Sequence, residues 1–574
     1  MSKNPSSRFW FAFLALVLAG CAAGCVRKPE PATFVLTNGK IVTLDPAKPE
    51  AQALAARGDR IVAVGAAKEI ARYIGDATEV IDLQGNLATP GWIDSHLHFT
   101  GIGQAKLSLD LTKTKSWEEI VAMVAEAVKK AKPGEPITGR GWHQEKWDKV
   151  PEPNVQGFPI HTALSKVSPD NPVVLTHASG HSCLANAKAM EMGKVTAKTP
   201  NPSGGEIVKD AKGQPIGAFI ETAQGMVRGA LARTADARTP EERQAEQMKI
   251  VELANQECLS KGLTSVHDAG AGTGTIDLYK KAIDEGKLQV RIYAMLSAGN
   301  KQLAEKAAEL KVSGYGNNHL TVRSIKRLID GALGPRGAWL LEPYEDLPSS
   351  TGLNTEDIAE LKDTARIAAE NGFQLCVHAI GDRANRETLD IYEAAFKSHP
   401  EAKDTRWRIE HAQHIAAADI PRFGKLGVIA AMQGIHCTSD GPWVYKRLGA
   451  KRAEEGAYVW RKLMDAGAVI SNGTDAPVEA VDAIPSFYAG VTRKMKNGEV
   501  FFGDQKMTRE EALKSYTLNG AYAAFEENLK GSLVAGKLAD VTVFSKDLMT
   551  CPEDEIPATE ILYTIVGGKV AYRK

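Results

Sequence analysis

Between Thr33 and Leu87 the chain alternates apolar and polar residues in short runs, the period-two pattern of half-buried strands. Thr33 to Thr37 stops at Asn38-Gly39, a hairpin signal, and Lys40 to Leu44 resumes the strand. Arg60 to Gly65 and Glu79 to Leu83 repeat the pattern. The C-terminus has the same texture at Asp540 to Phe544 and at Ile565 to Tyr572, around the turn signal Gly567-Gly568. Two β pieces at opposite ends of a chain expose sheet edges unless they pair. Residues 33–88 and 531–574 are therefore expected to form one small β-sandwich.

Between them the period changes. Short apolar runs alternate with helical stretches, which predicts a parallel α/β sheet. Eight strand candidates end near His96, Val266, Met295, Ile325, Val377, Ile409, Met432 and Ser471. Helices separate most of them, for example from Thr355 to Asn371 after an Asn354-Thr355 cap signal. That count predicts a (β/α)8 TIM-like barrel over residues 89–530. The stretch from Thr100 to about Lys261 is too long for one crossover. It reads as a large insertion after the first strand, covering the barrel mouth, with Pro200 to Gly217 as loop.

Length and charge narrow the functional classes. A chain of 574 residues with 43% hydrophobic content builds a sizeable core without disulfide staples. Lys+Arg and Asp+Glu are both 70, so no basic excess points to nucleic acid. The seven cysteines form no CxxC pair, and the five beyond residue 25 read as free thiols. The N-terminus is an address. Lys3 and Arg8 precede the apolar run Trp10 to Leu18, far shorter than the roughly 20 residues of a membrane-spanning helix. Leu18-Ala19-Gly20-Cys21 resembles a bacterial lipobox. Residues 1–20 are then a lipoprotein signal peptide, Cys21 the lipidation site and residues 21–32 a tether. This implies export and anchoring to the envelope by lipid, and Ala22 after the lipid site favours the periplasmic side of the outer membrane.

Candidate chemistry sits at the strand ends. His96 and His98 are two apart and face one side of a strand. His378, His411 and Asp475 end or follow later strands, and Lys326 follows Ile325. Barrel strands converge on one mouth at their C-terminal ends, so these six side chains can meet there. Imidazole and carboxylate together suit a divalent ion such as zinc.

Pro90-Gly91-Trp92-Ile93-Asp94-Ser95-His96-Leu97-His98 resembles the first metal motif of the amidohydrolase superfamily. Lys326 to Gly334, Cys376 to Asp382, Arg408 to Gln413 and Gly473 to Val478 resemble the later motifs of its YtcJ-like, N-substituted formamide deformylase-like branch (amidohydrolase family 3). Gly531 to Asp540, Gly139-Arg140-Gly141-Trp142 and Gly180-His181 match as well. The resemblance implies that His96, His98 and Asp475 bind one metal and His378 and His411 a second. It implies that Lys326 bridges them as an N-carboxylated lysine; were Lys326 an ordinary lysine, one metal would remain. Metal-activated water would then cleave a non-peptide carbon–nitrogen bond of a small molecule, with Asp475 as proton acceptor and donor. Trp142, His143 and His181 are candidates to line the substrate pocket, or to pack within a loop. Arg336 can meet an anionic substrate group or sit in an ion pair. His267 and Asp268 are candidates to orient ligands by hydrogen bonds. Ester or lactone substrates, and a decayed binding protein, are the rival readings. A homo-oligomer stays open.

Cys21→Ser is expected to move the protein from the membrane to the soluble fraction, read by fractionation of expressing cells. Unchanged membrane partition would refute lipid attachment.

Overall fold

The computed structural model describes residues 29–235 and 238–574; the signal segment, Cys21 and most of the tether lie outside the described residues. Eight parallel strands form the central barrel. They are β1 (Trp92–Leu97), β2 (Leu263–Ala271), β3 (Arg291–Leu296), β4 (Leu320–Leu328), β5 (Gln374–Ala379), β6 (Arg408–His411), β7 (Ile429–Met432) and β8 (Ile470–Asn472). Each expected strand is present, and neighbours pair in sequence order from β1 to β8. All six residues of β1, β3 and β5 are buried, as a sheet covered on both faces requires.

The seam between β8 and β1 is closed by hydrogen bonds from the loop after β8. Asp475 N donates to His96 O at 2.7 Å. The Asp94 carboxylate accepts from Thr474 Oγ1 at 2.6 Å and from His96 N at 3.1 Å. A Cβ at Gly473 would lie 2.5 Å from His96 N, so only glycine lets this loop approach β1.

Helices cover the barrel. Pro240–Ser260 starts with a capping box, Thr239 with Glu242, and with proline in its first turn. The helix after β4 is Ile358–Asn371, capped by Asp357. It begins later than the Asn354-Thr355 signal suggested, because Thr355 Oγ1 donates to Leu328 O instead, at 2.9 Å.

The insertion is narrower than expected. Phe99–Lys106 and Pro240–Ser260 are barrel-side helices packed on each other. Between them a separate layer has the six-strand order Gly205–Lys209, Pro215–Glu221, Ser182–Ala185, Val173–His177, Ile137–Trp142, Leu109–Asp110. Trp117–Val128 and Thr162–Val167 pack on one face and Ala187–Met192 and Gln224–Ala235 on the other. The Pro200 to Gly217 stretch, read as loop, contains most of an antiparallel hairpin: Ile207 faces Phe219 and Lys209 faces Pro215. Its Gly and Pro residues mark the turns rather than the whole segment.

The two chain ends form the sandwich. One sheet joins Phe34–Thr37, Ala53–Arg57, Arg60–Gly65 and Glu79–Asp82. The other joins Lys40–Val42, Glu50–Ala51, Leu87–Pro90, Val541–Phe544, Ile561–Val566 and Lys569–Arg573. Phe34, Leu36, Ile41, Leu54, Val541 and Ile565 fill the space between them. Asn38-Gly39 does not make a hairpin. It carries the chain from one sheet to the other, because Phe34–Thr37 pairs with Ala53–Arg57 and Lys40–Val42 with Leu87–Pro90. Gly567-Gly568 does turn a hairpin, with Val566 opposite Lys569. Cys183, Cys258, Cys376 and Cys437 are buried free thiols. No helix among the described residues is long and apolar enough to cross a membrane.

Barrel and sandwich are joined by a buried ion pair. Arg291 on β3 meets Asp540 through Nε at 2.8 Å and Nη2 at 3.0 Å. Arg291→Met is expected to destabilise the protein by about 3–5 kcal/mol, since it strands a buried carboxylate. Denaturant unfolding that is unchanged in the variant would contradict this.

Candidate active site

The ends of β1, β4, β5 and β6 and the loop after β8 bring together His96, Lys326, His378, His411 and Asp475, all buried. His98 stands at the rim, with 43% of its side chain exposed. His96, His411 and Asp475 offer ligand atoms that lie within 4.8 Å of one another. His98 Nε2 is 3.3 Å and His96 Nε2 is 3.6 Å from Asp475 Oδ1. The His378 ring centroid lies 4.4 Å from that of His411.

The donor atoms are left free. His96 Nε2, His378 Nε2, Lys326 Nζ and Asp475 Oδ1 are buried and make no hydrogen bond. Buried polar atoms are ordinarily satisfied, so a converging group without partners calls for an ion. Imidazole nitrogens, a carboxylate and an amine able to become a carbamate fit a divalent metal.

Other residues aim these ligands. Glu410 accepts from His96 Nδ1, which turns Nε2 toward the cluster. Arg408 holds Glu410 through Nε at 2.7 Å and Nη2 at 2.9 Å. The same guanidinium reaches His267 Nδ1 at 2.9 Å and Ser95 O at 2.7 Å. His411 Nδ1 pairs with Gln433 Oε1 at 2.8 Å, leaving its Nε2 for the site. Asp330 accepts from the backbone N–H of Ile380 and Gly381 and sits 3.5 Å from His378 Nε2.

Burial and charge set the protonation states. Burial brings the His96 pKa down to about 4 and lowers those of His378 and His411, so the imidazoles are neutral ligands. Burial pushes Asp475 up, but the His98 contact, with the imidazoles of His411 and His96 close by, outweighs it and holds the carboxyl well below its usual range. Burial lowers the Lys326 ammonium. The backbone is strained here: His411, Ala412 and Asp475 have φ of 74°, 45° and 56°. Non-glycine residues in that region cluster at functional sites.

Two cavities flank the cluster. One of about 50 Å3 is lined by His143, Leu333, His436, Asp440 and Trp443 and reaches His411 and Asp475. Another of about 550 Å3 touches His98 and Lys326. His181 lines both, with Nδ1 2.7 Å from Glu221 Oε2.

Three sequence candidates fall elsewhere. Trp142 is wholly buried in the insertion's core and donates Nε1–H to Leu175 O at 2.9 Å, so it lines no cavity. Arg336 is engaged by Asp346 at 2.8 Å. Asp268 accepts from Phe99 N at 3.0 Å and Tyr279 OH at 2.6 Å, which fixes the helix after β1 rather than an imidazole. His267 acts at one remove, through Arg408. Reading ligand types alone missed Arg408, Glu410, Asp330 and His436. Arg408 and Glu410 carried a signal: two apart on one strand, they share a face.

A parallel eight-stranded barrel with this set of side chains at the carboxyl ends of its strands has the layout of a (β/α)8 enzyme. The chain belongs to the amidohydrolase family, whose model matches residues 79–572. It is 32% identical to the protein LONG AFTER FAR-RED 3 of Arabidopsis thaliana, over 94% of this chain and 92% of that protein. Identity to the putative amidohydrolase YtcJ of Bacillus subtilis is 30%, over 88% and 92% of the two chains. Identity to the N-substituted formamide deformylase of Arthrobacter pascens is 27%, over 94% and 98%. The crystal structure of an uncharacterized metal-dependent hydrolase from Pyrococcus horikoshii superposes with a TM-score of 0.71 at 26% identity, covering 91% of this chain and 99% of that one.

Glu410→Gln should release His96 and weaken divalent-metal affinity about 10- to 100-fold, measured by competition with a chelating dye. Unaltered affinity would show that Glu410 does not position the ligand.

Proposed function

We propose that this hydrolase cleaves a non-peptide, amide-type carbon–nitrogen bond of a small molecule, using water activated at a divalent metal centre. The observation that carries the reading is the convergence of four buried atoms without a well-formed hydrogen bond, on His96, Lys326, His378 and Asp475, beside His98 and His411. Similarity to a formamide deformylase over nearly the whole chain supports an amide as substrate.

His96, His98 and Asp475 would hold one ion and His378 and His411 another, zinc being suited to such donors. Lys326 would join the two as a carbamate. Burial favours its neutral amine, which adds carbon dioxide and loses a proton. A bound ion would make water more acidic and draw charge from the substrate carbonyl. Asp475 accepts the proton of the attacking water and returns it to the leaving nitrogen, which departs as an amine. His96 and His411, locked by Glu410 and Gln433, keep their Nε2 atoms on the centre throughout. His143, His436 and Trp443 border the space in which the substrate would lie. The N-terminal motif adds a place: attachment by lipid at Cys21, on the outer side of the inner membrane or, as Ala22 favours, at the outer membrane.

Elemental mass spectrometry of the purified protein is expected to find about two divalent ions per chain, falling in Lys326→Ala. The loaded enzyme should hydrolyse members of an amide panel, and Asp475→Asn should lower kcat at least about 100-fold while staying folded. No metal after reloading, or turnover of esters alone, would overturn the proposal.

A further inference from the structure

The larger cavity, beside His98 and Lys326, has an unbalanced set of charges. Its two carboxylates are already engaged. Glu221 holds His181 at 2.7 Å, and Glu356 holds Arg327 at 3.2 Å. Its other two arginines, Arg140 and Arg228, make no ion pair with an acid among the described residues. Arg140 gives Nε–H to Pro477 O and Nη2–H to Ala178 O, both at 3.1 Å. Those carbonyls belong to the two loops that separate the cavities, so the guanidinium is held in place by backbone. Arg228 gives Nη2–H to Thr176 Oγ1 at 3.2 Å. A guanidinium has five N–H donors, and these bonds occupy two of those on Arg140 and one of those on Arg228.

The approach is open. A Cβ at Gly180 would lie 3.6 Å from Nη2 and 3.7 Å from Nη1 of Arg140. Those are ordinary contact distances; it is the φ of +78° at Gly180 that disfavours a side chain there. Burial brings the Arg140 pKa down to about 10, with Asp475 raising it and Arg228 lowering it. It is thus a full cation that feels both the Asp475 carboxylate and a second cation, with no acid in ion-pair contact among the described residues. The smaller cavity carries Trp443, His143, Leu333 and Ile380 beside the charged Lys146, Asp440 and Glu479. The two spaces meet at Ser179, His181 and Val478.

We propose that Arg140, assisted by Arg228, forms a subsite for an anionic substituent of the substrate, a carboxylate or phosphate carried on one side of the bond to be cleaved. A planar fork held by backbone carbonyls is suited to paired hydrogen bonds with such a group. The substrate would lie across the centre, with its anionic end beside Arg140 in the larger cavity and its other end against Trp443. This rests on the hydrolase reading of the same centre and specifies the substrate class.

The test is equilibrium binding, by calorimetry, of 4-acetamidobenzoate and its neutral carboxamide to the metal-loaded full chain. The wild type is expected to prefer the acid by about tenfold, the worth of a charge-assisted hydrogen bond, and to lose that preference as salt rises. Arg140→Gln should abolish the preference and leave carboxamide binding within about twofold, a change under 0.5 kcal/mol. A purely structural role for Arg140 would weaken both ligands alike. The surface variant Arg228→Gln, which spares the loop contacts, should reduce the preference by about threefold. 4-Acetamidophenyl phosphate in the same assay tells phosphate from carboxylate. Equal affinity for acid and carboxamide in the wild type, no saturable binding of either anion, or parallel loss of both ligands in Arg140→Gln would overturn the subsite. Occupancy is the readout, so acid-selective binding without cleavage of any amide would refute the hydrolytic reading and leave the subsite standing.

Discussion

The chain His267–Arg408–Glu410–His96 is the interaction on which the rest of the centre depends. It places a carboxylate and a guanidinium in the middle of the barrel, both fully buried. Such a pair is tolerated only when its remaining donors and acceptors find partners. Here His96, His267 and Ser95 O supply them. Burial alone would raise Glu410; Arg408 and then His96 outweigh it and keep the carboxyl well below its usual range. A permanently anionic Glu410 accepts a hydrogen bond from Nδ1–H of His96 and leaves Nε2 as a lone-pair donor. Three strands, β1, β2 and β6, are thereby fixed relative to one another at the depth where ligands must converge.

Much of this was readable in the sequence, for a physical reason. Strands buried on both faces must be apolar, so the eight runs stood out from amphipathic helices, and ligand-type residues at their ends were conspicuous. Glu410 was less visible because a charged residue next to a histidine ligand looks like a surface residue until the barrel closes over it. Trp142 and Arg336 take the second of the two readings the sequence left open, packing and an ion pair, and Asp268 serves a helix start, for a related reason. An aromatic ring, a guanidinium and a carboxylate serve packing, ion pairs and helix starts as well as substrates, and only three-dimensional neighbours decide. Asn38-Gly39 carried correct local information, a turn, and no information about which sheet each flanking strand would join. Pro200 to Gly217 shows the converse: turn residues were so dense that the short strands between them were hidden.

The insertion contributes cavity wall rather than candidate ligands. None of the six candidate metal-binding residues comes from it, yet His143, Ser179 and His181 line the cavities. It is tied to the barrel by Arg140 to Pro477 O and by Glu145, which Arg447 holds at 2.8 Å. Arg447 also holds Asp346, which Arg336 engages from the loop after β4. A layer with its own core, attached through a few polar contacts, can vary in its cavity face while the barrel keeps its chemistry.

The sandwich has a consequence for how the molecule is made. Lys40 and Asp547 form a hydrogen bond across 507 positions of sequence, and Leu87–Pro90 finds its antiparallel neighbour in Val541–Phe544. The earliest strands to be synthesised must wait for the last before their sheet is complete, and contacts that distant in sequence form slowly. Meanwhile Leu87–Pro90, which leads directly into the first ligand-bearing strand, presents an unpaired edge to other chains. Biogenesis is therefore gated by the final forty residues, and a nascent chain stalled before them would carry every metal ligand and still be an aggregation hazard rather than an enzyme.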